Sequence, residues 1–388
     1  MLKGYFPVER FKELKTPFYY YDMRLLRETL DLICEQAAKN PGFKVHYAIK
    51  ANFNPVILRE ISARGLGADC VSGGEVKAAF DNGFPADRIV YAGVGKSDEE
   101  IRYALSIGIA RFNVESSAEL VVINELAAEI GLTASVSLRV NPDIGAHTHA
   151  NITTGLAENK FGINYEQLDS VISLAMSLEN IEYKGLHFHI GSQILDMSDF
   201  VALCNRINQL SYRLQRARLP LGDINVGGGL GINYQHPNHL DKADFKSYFD
   251  VFRKHLKLPM GTEVHFELGR SIVAPCGSLI CRVLYVKEGS RKKFAIVDGS
   301  MTELVRPAMY KAYHRVENIS SYEPEELYDV VGPVCESSDV FVKAEMIDRC
   351  HRGDFIAIRS AGAYGESMAS GYNCRPLPPS YFFDESEV

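Results

Sequence analysis

A few residues of this sequence have the types and positions that carbonyl chemistry requires. Lys50 closes the apolar run Tyr47-Ala48-Ile49. When a lysine at the end of a buried strand loses its solvent, its pKa falls and its amine becomes a nucleophile that can form a Schiff base with a carbonyl. An ordinary lysine that pairs with Asp69, in the next strand-like run, explains the position equally well.

A glycine cluster at positions 227–229, with Gly231 after it, follows the strand-like run Asp223-Ile224-Asn225-Val226. Backbone amides without side chains can approach a phosphate group closely. The cluster is not a G-x-G-x-x-G dinucleotide motif, because position 232 is Ile232. A tight turn that needs positive φ explains the cluster slightly better when it is taken alone.

Glu267 ends another strand-like run, and Gly269 and Arg270 follow it. A carboxylate can keep an aromatic ring nitrogen protonated, as pyridoxal phosphate requires in order to act as an electron sink. A salt bridge between Glu267 and Arg270 is the alternative. Lys50, the glycine cluster and Glu267 together match the three groups of that cofactor that a protein can bind: its aldehyde, its phosphate and its ring nitrogen.

The histidines raise a hypothesis from another class of enzyme. Five of them could supply ligands to the metal of a barrel hydrolase: His147, His149, His187, His189 and His265. Against this, the cationic groups of Lys50 and Arg270 would repel such an ion. The ring of His189 could instead stack on a cofactor, and packing in the core explains His187.

Parallel strands would bring these residues to one place. Short apolar runs begin near residues 45, 67, 88, 111, 134, 183, 223 and 263, with helical patterns between them. Asn54 before Pro55, the capping box from Ser97, and Asp22 mark helix starts. This rhythm predicts an α/β fold, a (β/α)8 TIM-like barrel, which carries its chemistry at the C-terminal ends of the strands. A doubly wound open sheet is the alternative.

The pattern changes after residue 270. Runs such as LICRVLYVKE, KFAIVD and DFIAIRS are separated by glycine, proline and polar residues, and helices are few. This predicts a C-terminal all-β domain. We expect the barrel over 23–270 and the β-domain over 1–22 and 271–388, with the N-terminal strand TPFYYYD included. The stretch 141–162 is expected to be a functional or mobile loop.

Composition limits the function further. The chain has 388 residues and a net charge of −7, without the apolar run of about 20 residues that a membrane helix needs. It has no basic stripe of a nucleic-acid-binding protein. Its N-terminus has no apolar signal-peptide core. Eight scattered cysteines include no C-x-x-C pair, so we expect reduced thiols, a cytoplasmic location and no resident metal.

Several segments between residues 47 and 373 are similar, in order, to one family. They are Tyr47-Ala48-Ile49-Lys50-Ala51-Asn52, His187-Phe188-His189-Ile190-Gly191-Ser192-Gln193, Asn225-Val226-Gly227-Gly228-Gly229-Leu230-Gly231, Glu267-Leu268-Gly269-Arg270, Arg306-Pro307-Ala308-Met309-Tyr310, Gly332-Pro333-Val334-Cys335-Glu336-Ser337-Ser338-Asp339 and Ala361-Gly362-Ala363-Tyr364. With them the chain resembles the fold-type III, pyridoxal-phosphate-dependent amino acid decarboxylases, and among these the ones that act on diaminopimelate. The resemblance implies pyridoxal 5'-phosphate as cofactor and a homodimer with shared active sites.

The resemblance also implies roles for single residues. Lys50 would carry the cofactor, His189 would stack on its ring, and Glu267 would hold the ring nitrogen protonated. Cys335 would return a proton to the substrate carbon, although a buried, inert thiol is the alternative. Further cofactor contacts are expected from Asp69, Arg139, Ser192, Gly228, Gly229, Gly269, Arg270 and Tyr364.

The expected substrate is meso-2,6-diaminopimelate, which would yield L-lysine. Its far end carries a carboxylate, which favours an arginine fork, and Arg270 and Arg306 are candidates. A surface salt bridge is the alternative for Arg306. Glu336 is expected to take the far ammonium group, and Tyr310 and Tyr364 to close the pocket.

Other hypotheses stay open. A decarboxylase of this fold could act on ornithine, arginine or carboxynorspermidine. A racemase of this fold would have an arginine in place of Glu267. A catalytically inactive binding protein is disfavoured because Lys50 and Cys335 are both retained. Cys335 and Glu336 would reach the partner's active site, and Ser338 stands in that segment where the family often has Gly or Ala.

Overall fold

The computed structural model describes residues 4, 6–141 and 160–384. The strands, in chain order, are β1 Phe18–Asp22, β2 Phe43–Ala48, β3 Gly67–Cys70, β4 Ile89–Tyr91, β5 Arg111–Val114, β6 Ala134–Arg139, β7 Ile181–His187, β8 Asp223–Asn225, β9 Val264–Leu268, β10 Gly277–Glu288, β11 Lys293–Val297, β12 Val316–Asn318, β13 Glu325–Val331, β14 Val340–Asp348, β15 Phe355–Ile358 and β16 Ser380–Phe383. The α-helices are α1 Val8–Phe11, α2 Met23–Ala38, α3 Pro55–Ala63, α4 Gly73–Asp81, α5 Asp98–Ile107, α6 Ser117–Glu129, α7 Leu168–Ser177, α8 Met197–Ala217, α9 Phe245–His255, α10 Arg270–Val273 and α11 Arg306–Tyr310.

The chain forms two compact units. One contains Leu30–Gly231 and Asp244–Gly269, and it holds strands β2 to β9. The other contains the residues up to Thr29, Ile232–Ala243 and the residues from Arg270 onward. The segment Ile232–Ala243 lies between β8 and α9 in the sequence, so the strand rhythm gives no sign that it belongs to the second unit.

Strands β2 to β9 pair in sequence order, all parallel, and β9 pairs back to β2 to close a barrel. The predicted barrel is therefore confirmed, and the open sheet is wrong. Alternation along β9 explains the packing: Phe266 packs edge-to-face against Phe249 and Phe252 of α9, with ring centroids 4.9 and 5.1 Å away. Its neighbours His265 and Glu267 share the opposite face of the strand.

Local caps start the helices where the sequence predicts them. Asn54 Oδ1 accepts the Val56 amide proton at the start of α3, with Pro55 as the first helical residue. Ser97 and Glu100 form a reciprocal capping box at α5. Asp22 Oδ1 accepts the Leu25 amide proton at 2.9 Å, at the start of α2.

The second unit is mostly sheet, as predicted. Its main sheet has the order β12-β15-β10-β11-β13-β14. The N-terminal β1 joins it, antiparallel to β10 and parallel to β16. Aromatic and aliphatic side chains from both ends of the chain make one core: Phe11, Phe18, Tyr20, Ile280, Ile319, Phe355, Ala357 and Phe383.

Three further expectations bear on the described residues. None of the helices in the described ranges is apolar over enough length to cross a bilayer. All eight cysteines are free thiols. Most of the predicted loop 141–162, with His147 and His149, lies outside the described residues.

Candidate active site

Lys50 lies directly after β2, on a single 3-10 turn from Ile49 to Ala51. This is the C-terminal end of the barrel, where the sequence analysis placed it. Its side chain is exposed, however. The expected desolvation of this lysine is therefore wrong for the chain by itself.

Glu267 lies inside the barrel and is 7% exposed. Its Oε1 accepts hydrogen bonds from Asn225 Nδ2 at 2.7 Å and Asn113 Nδ2 at 3.1 Å. Its Oε2 lies 3.0 Å from His187 Nε2. Donors from β5, β8 and the end of β7 therefore converge on one carboxylate, which favours its ionised form.

Asp69 is a second buried carboxylate, at 2% exposure. Burial raises its pKa well above the ordinary value, the charge of Glu267 raises it further, and Lys50 offsets only part of this. For Glu267, burial also raises the pKa, but His187, His189 and Lys50 outweigh it and hold the pKa below its ordinary value. Two like charges are thus avoided: Glu267 is ionised and Asp69 is protonated.

His189 is half-buried just beyond β7. Burial lowers its pKa well below the ordinary value, and the charges of Lys50 and Arg139 act in the same direction. The ring is therefore neutral at pH 7. Its Nδ1 accepts the amide proton of Gly228 at 3.4 Å, which joins the ring to the glycine cluster.

The glycine cluster follows β8 at the same barrel end. Gly227 and Gly229 have φ of +72° and +104°, so both need glycine for a turn, as the alternative interpretation held. A Cβ on Gly228 would overlap the Glu267 carbonyl oxygen. At Gly269 an added Cβ would lie 3.0 Å from that of Ala48. The loops therefore pack closely around Glu267, with or without a phosphate.

Arg139 ends β6 and is 7% exposed. Its Nη1 donates to Glu115 Oε1 at 2.7 Å, and its Cζ lies 4.6 Å from the Phe161 ring centroid. Glu115 also accepts the amide proton of Gly162 at 2.8 Å. Arg139 is thus anchored by Glu115, a residue that the sequence analysis did not select. Ser192 is half-buried, five residues after β7.

The second unit contains a separate cluster of cationic side chains around a tyrosine. Tyr234 OH accepts a hydrogen bond from Arg270 Nη1 at 2.7 Å and from Arg306 Nη1 at 2.9 Å. Burial raises the pKa of Tyr234, but the charges of both arginines outweigh it and lower the pKa below its ordinary value. Arg306 is only 6% exposed, so the surface salt bridge is wrong.

His314 completes this arginine cluster. Its Nδ1 lies 2.9 Å from the Arg359 carbonyl oxygen, so it carries the proton, and its Nε2 accepts from Arg306 Nη1 at 3.1 Å. Tyr364, at φ +57°, places its ring centroid 5.0 Å from Arg270 Cζ. Tyr310 ends α11, the short helix that Arg306 begins. Four of the predicted residues thus fall in one cluster, and Tyr234 and His314 were missed.

Cys335 and Glu336 lie together on an exposed loop before β14. The inert buried thiol is therefore wrong for Cys335. Glu336 Oε1 accepts a hydrogen bond from Tyr372 OH at 2.8 Å. Asp339, which accepts the amide proton of Val334 at 2.8 Å, holds the loop in place.

The predicted histidine site for a catalytic metal does not form within the described ranges. His187 Nε2 bonds to Glu267, as described above, and the described part of the chain groups no further His, Cys, Asp or Glu donors around it. His265 lies at the other end of β9. His147 and His149 lie outside the described residues.

Known proteins similar to this chain are consistent with this arrangement. Residues 28–274 match the family described as pyridoxal-dependent decarboxylase, pyridoxal binding domain. A curated relative from Bacteroides thetaiotaomicron, named diaminopimelate decarboxylase, is 61% identical over 384 residues, which cover 99% of this chain and 100% of the relative.

Two solved structures have a similar fold. The crystal structure of diaminopimelate decarboxylase from Helicobacter pylori complexed with L-lysine is 39% identical with a TM-score of 0.90, and the match covers 97% of this chain and 94% of that one. The corresponding M. jannaschii structure in co-complex with L-lysine is 35% identical with a TM-score of 0.91, and the match covers 100% of this chain and 91% of that one.

Proposed function

Because the chain belongs to the pyridoxal-dependent decarboxylases, and among them to the diaminopimelate decarboxylases, we propose that it converts meso-2,6-diaminopimelate to L-lysine and carbon dioxide with pyridoxal 5'-phosphate. It is then a carboxy-lyase of the last step of lysine biosynthesis. The observation that carries the proposal is the ionised carboxylate of Glu267, held by three donors in the barrel whose mouth bears Lys50. The racemase hypothesis, which needs an arginine there, is disfavoured for the same reason.

The residues at the barrel mouth fit the cofactor. An anion surrounded by donors at Glu267 suits a protonated ring nitrogen, and the neutral ring of His189 suits stacking. Asp69 Oδ1 is buried without a hydrogen-bond partner among the described residues, so it can take a further donor. Gly228 and Gly229 bring backbone close to this point without side chains. When bound, pyridoxal phosphate accepts the electron pair that remains on the substrate carbon after carbon dioxide leaves.

The roles of the residues follow from their chemistry. When the cofactor is bound, Lys50 Nζ would hold it through its aldehyde group. Glu267 would keep the proton on the ring nitrogen, and Arg139 and Asp69 would make further contacts with the cofactor. Cys335 Sγ supplies the proton that replaces the lost carboxyl group, because a protonated thiol can act as a general acid.

Phosphate and substrate contacts are proposed on the family resemblance. The phosphate would be bound by Ser192, Gly228, Gly229, Gly269, Arg270 and Tyr364. Arg270 and Arg306 would take the far carboxylate of the substrate, which ornithine lacks. Glu336 takes the far ammonium group, and Tyr310 and Tyr364 line the same pocket.

We also propose a homodimer whose subunits exchange Cys335 and Glu336. The exposure of both residues supports this, because a proton donor must be covered in order to act in a closed site. All eight cysteines are free, which suits a reducing compartment such as the cytoplasm.

The decisive experiment measures carbon dioxide and amine product with four substrates: meso-diaminopimelate, ornithine, arginine and carboxynorspermidine. Release from diaminopimelate alone, abolished in Lys50→Ala and retained in the surface control Lys77→Ala, is the expected result. Release of carbon dioxide from another substrate would be consistent with the proposed cofactor, but it would refute the choice of substrate by the two arginines. A colourless protein without activity would refute the cofactor itself.

Mixing two inactive variants tests the dimer. Lys50→Ala and Cys335→Ala subunits, reassorted at equal amounts, leave one intact site in each mixed dimer if Cys335 acts across the interface. Activity should then recover to about a quarter of the wild-type value. No recovery would mean that each chain uses its own cysteine.

A further inference from the structure

The amino-terminal end of the barrel, remote from Lys50, holds a second group of side chains with the chemistry of a binding site. Asp223 begins β8, Glu263 directly precedes β9, and His265 is the second residue of β9. One donor atom from each lies within 4.8 Å of the other two. Across the described ranges, no other three His, Cys, Asp or Glu side chains come together in this way.

Hydrogen bonds determine where the protons of the adjacent histidines lie. His46 Nδ1 is 3.3 Å from the Arg88 carbonyl oxygen, which can only accept, so this nitrogen carries the proton. His46 Nε2 therefore accepts from His265 Nδ1, at 2.9 Å. With the proton on Nδ1, the imidazole of His265 presents a lone pair on Nε2.

That lone pair points at two carboxylates. His265 is 5% exposed, and its Nε2 has no hydrogen-bond partner among the described residues. It lies 3.5 Å from Glu263 Oε2 and 3.9 Å from Asp223 Oδ2. Three electron-rich atoms that face one another favour a cation between them. Ligand atoms about 2.1 Å from a tetrahedral zinc ion are about 3.4 Å apart. The distance of 3.5 Å from His265 Nε2 to Glu263 Oε2 matches this value, and the other donor atoms would need to move slightly closer.

We propose that Asp223, Glu263 and His265 bind one zinc ion, with water as the remaining ligand. An imidazole nitrogen with carboxylate oxygens suits zinc, whereas magnesium and calcium prefer oxygen alone. The bond from His265 Nδ1 to His46 is the support that metal-binding histidines usually have. A cavity of about 470 Å³, bordered by Glu263 and His265, connects the site to solvent. The ion would tie β8 to β9 and take no part in decarboxylation.

Two neighbouring cations weaken this site without blocking it. Arg111 Nη2 is 3.3 Å from Asp223 Oδ2, and Lys44 Nζ is 3.4 Å from Glu263 Oε1. Lys44 contacts the Glu263 oxygen that does not face His265. Each carboxylate oxygen also has more than one lone pair, so both contacts can persist beside an ion. We therefore expect an exchangeable ion that a chelator removes.

The test is calorimetric titration of chelator-treated holoenzyme with zinc chloride. Wild type should bind one ion per chain. Glu263→Gln changes a side chain that is 41% exposed, so the fold is kept, and zinc affinity should fall by about tenfold or more. Asp87→Asn is the matched control, because Asp87 borders the same cavity without belonging to the three-ligand group. It should bind zinc like wild type, and both variants should keep decarboxylase activity.

Exposed Cys335 and Cys374 could bind zinc elsewhere, and cobalt(II) distinguishes the two cases. An ion on His265 and two carboxylates gives no sulfur-to-metal charge-transfer band. Lack of zinc binding, equal affinity in Glu263→Gln and wild type, or a sulfur band with cobalt would each overturn the proposal.

Discussion

Tyr234→Phe tests whether one phenolic oxygen positions the two arginines proposed to bind the far carboxylate. Arg270 and Arg306 both carry positive charge and repel each other, yet one Nη1 of each donates to Tyr234 OH, at 2.7 and 2.9 Å. The ring of Tyr234 also packs against His314, with centroids 5.0 Å apart. The substitution removes the shared oxygen and leaves this ring contact.

The size of the effect follows from the bonds lost. A hydrogen bond to a charged group contributes roughly 1.5–3 kcal/mol. If the arginines separate and one such contact to the substrate is lost, kcat/KM for meso-diaminopimelate falls by about 10- to 150-fold. Most of the change should appear in KM, because the far carboxylate does not change during the reaction.

The assay is the initial rate of carbon dioxide release over a range of substrate concentrations, with saturating cofactor. Tyr248→Phe is the matched control. Tyr248 is fully buried on α9, and its hydroxyl has no hydrogen-bond partner among the described residues. Its loss should leave kcat/KM unchanged. Equal kinetics for the two variants, or a fall in kcat with KM unchanged, would refute the positioning role of Tyr234.

Four further predictions address the barrel and the stability of both units. Glu267→Gln should lower kcat by about 100-fold or more, because a neutral amide does not hold the ring nitrogen protonated; a near-wild-type kcat would contradict this. Gly228→Ala should lower Tm, since its Cβ would overlap the Glu267 carbonyl oxygen. Gly74→Ala, at an exposed position of α4, should leave Tm unchanged or slightly higher. Equal Tm values for the two variants would contradict the close packing around Gly228. Burial and Arg306 lower the pKa of His314 to about 3. As pH falls from 7 to 5, the free energy of unfolding of wild type should therefore fall by about 2 kcal/mol relative to that of His314→Gln, as measured by chemical denaturation. Asp69 has a raised pKa in the folded chain, so the cofactor-free wild type should lose stability relative to Asp69→Asn as pH rises from about 4. If the stability of wild type and that of a variant changed in parallel with pH, the pKa shift of the substituted residue, His314 or Asp69, would be disproved.

Much of the fold could be predicted because it depends on neighbours in sequence. The apolar runs near 45, 67, 88 and 111 recur as strands of the barrel. Caps such as Ser97 act within one helical turn and are visible in four residues. The chemistry at strand ends was also accessible, because parallel strands in a barrel present all their C-terminal ends on one side.

Exposure could not be predicted from the sequence, because it is a property of the folded chain. Lys50 was expected to be desolvated, and it is exposed. Arg306 had a surface salt bridge as its alternative, and it is buried. The residues adjacent in sequence do not determine either result, because a side chain is buried only when segments distant in sequence pack over it.

The sequence by itself determined the barrel, the mostly-sheet second unit, the family and its cofactor. Only the tertiary structure decided which residues tune the site. Tyr234 follows the glycine cluster in an irregular segment, and no pattern marks it as the partner of Arg306, which is 72 residues away. The contact between His46 and His265 spans 219 residues. Periodicity and capping report interactions over a few residues, whereas hydrogen bonds of this kind form only after the chain has brought its distant parts together.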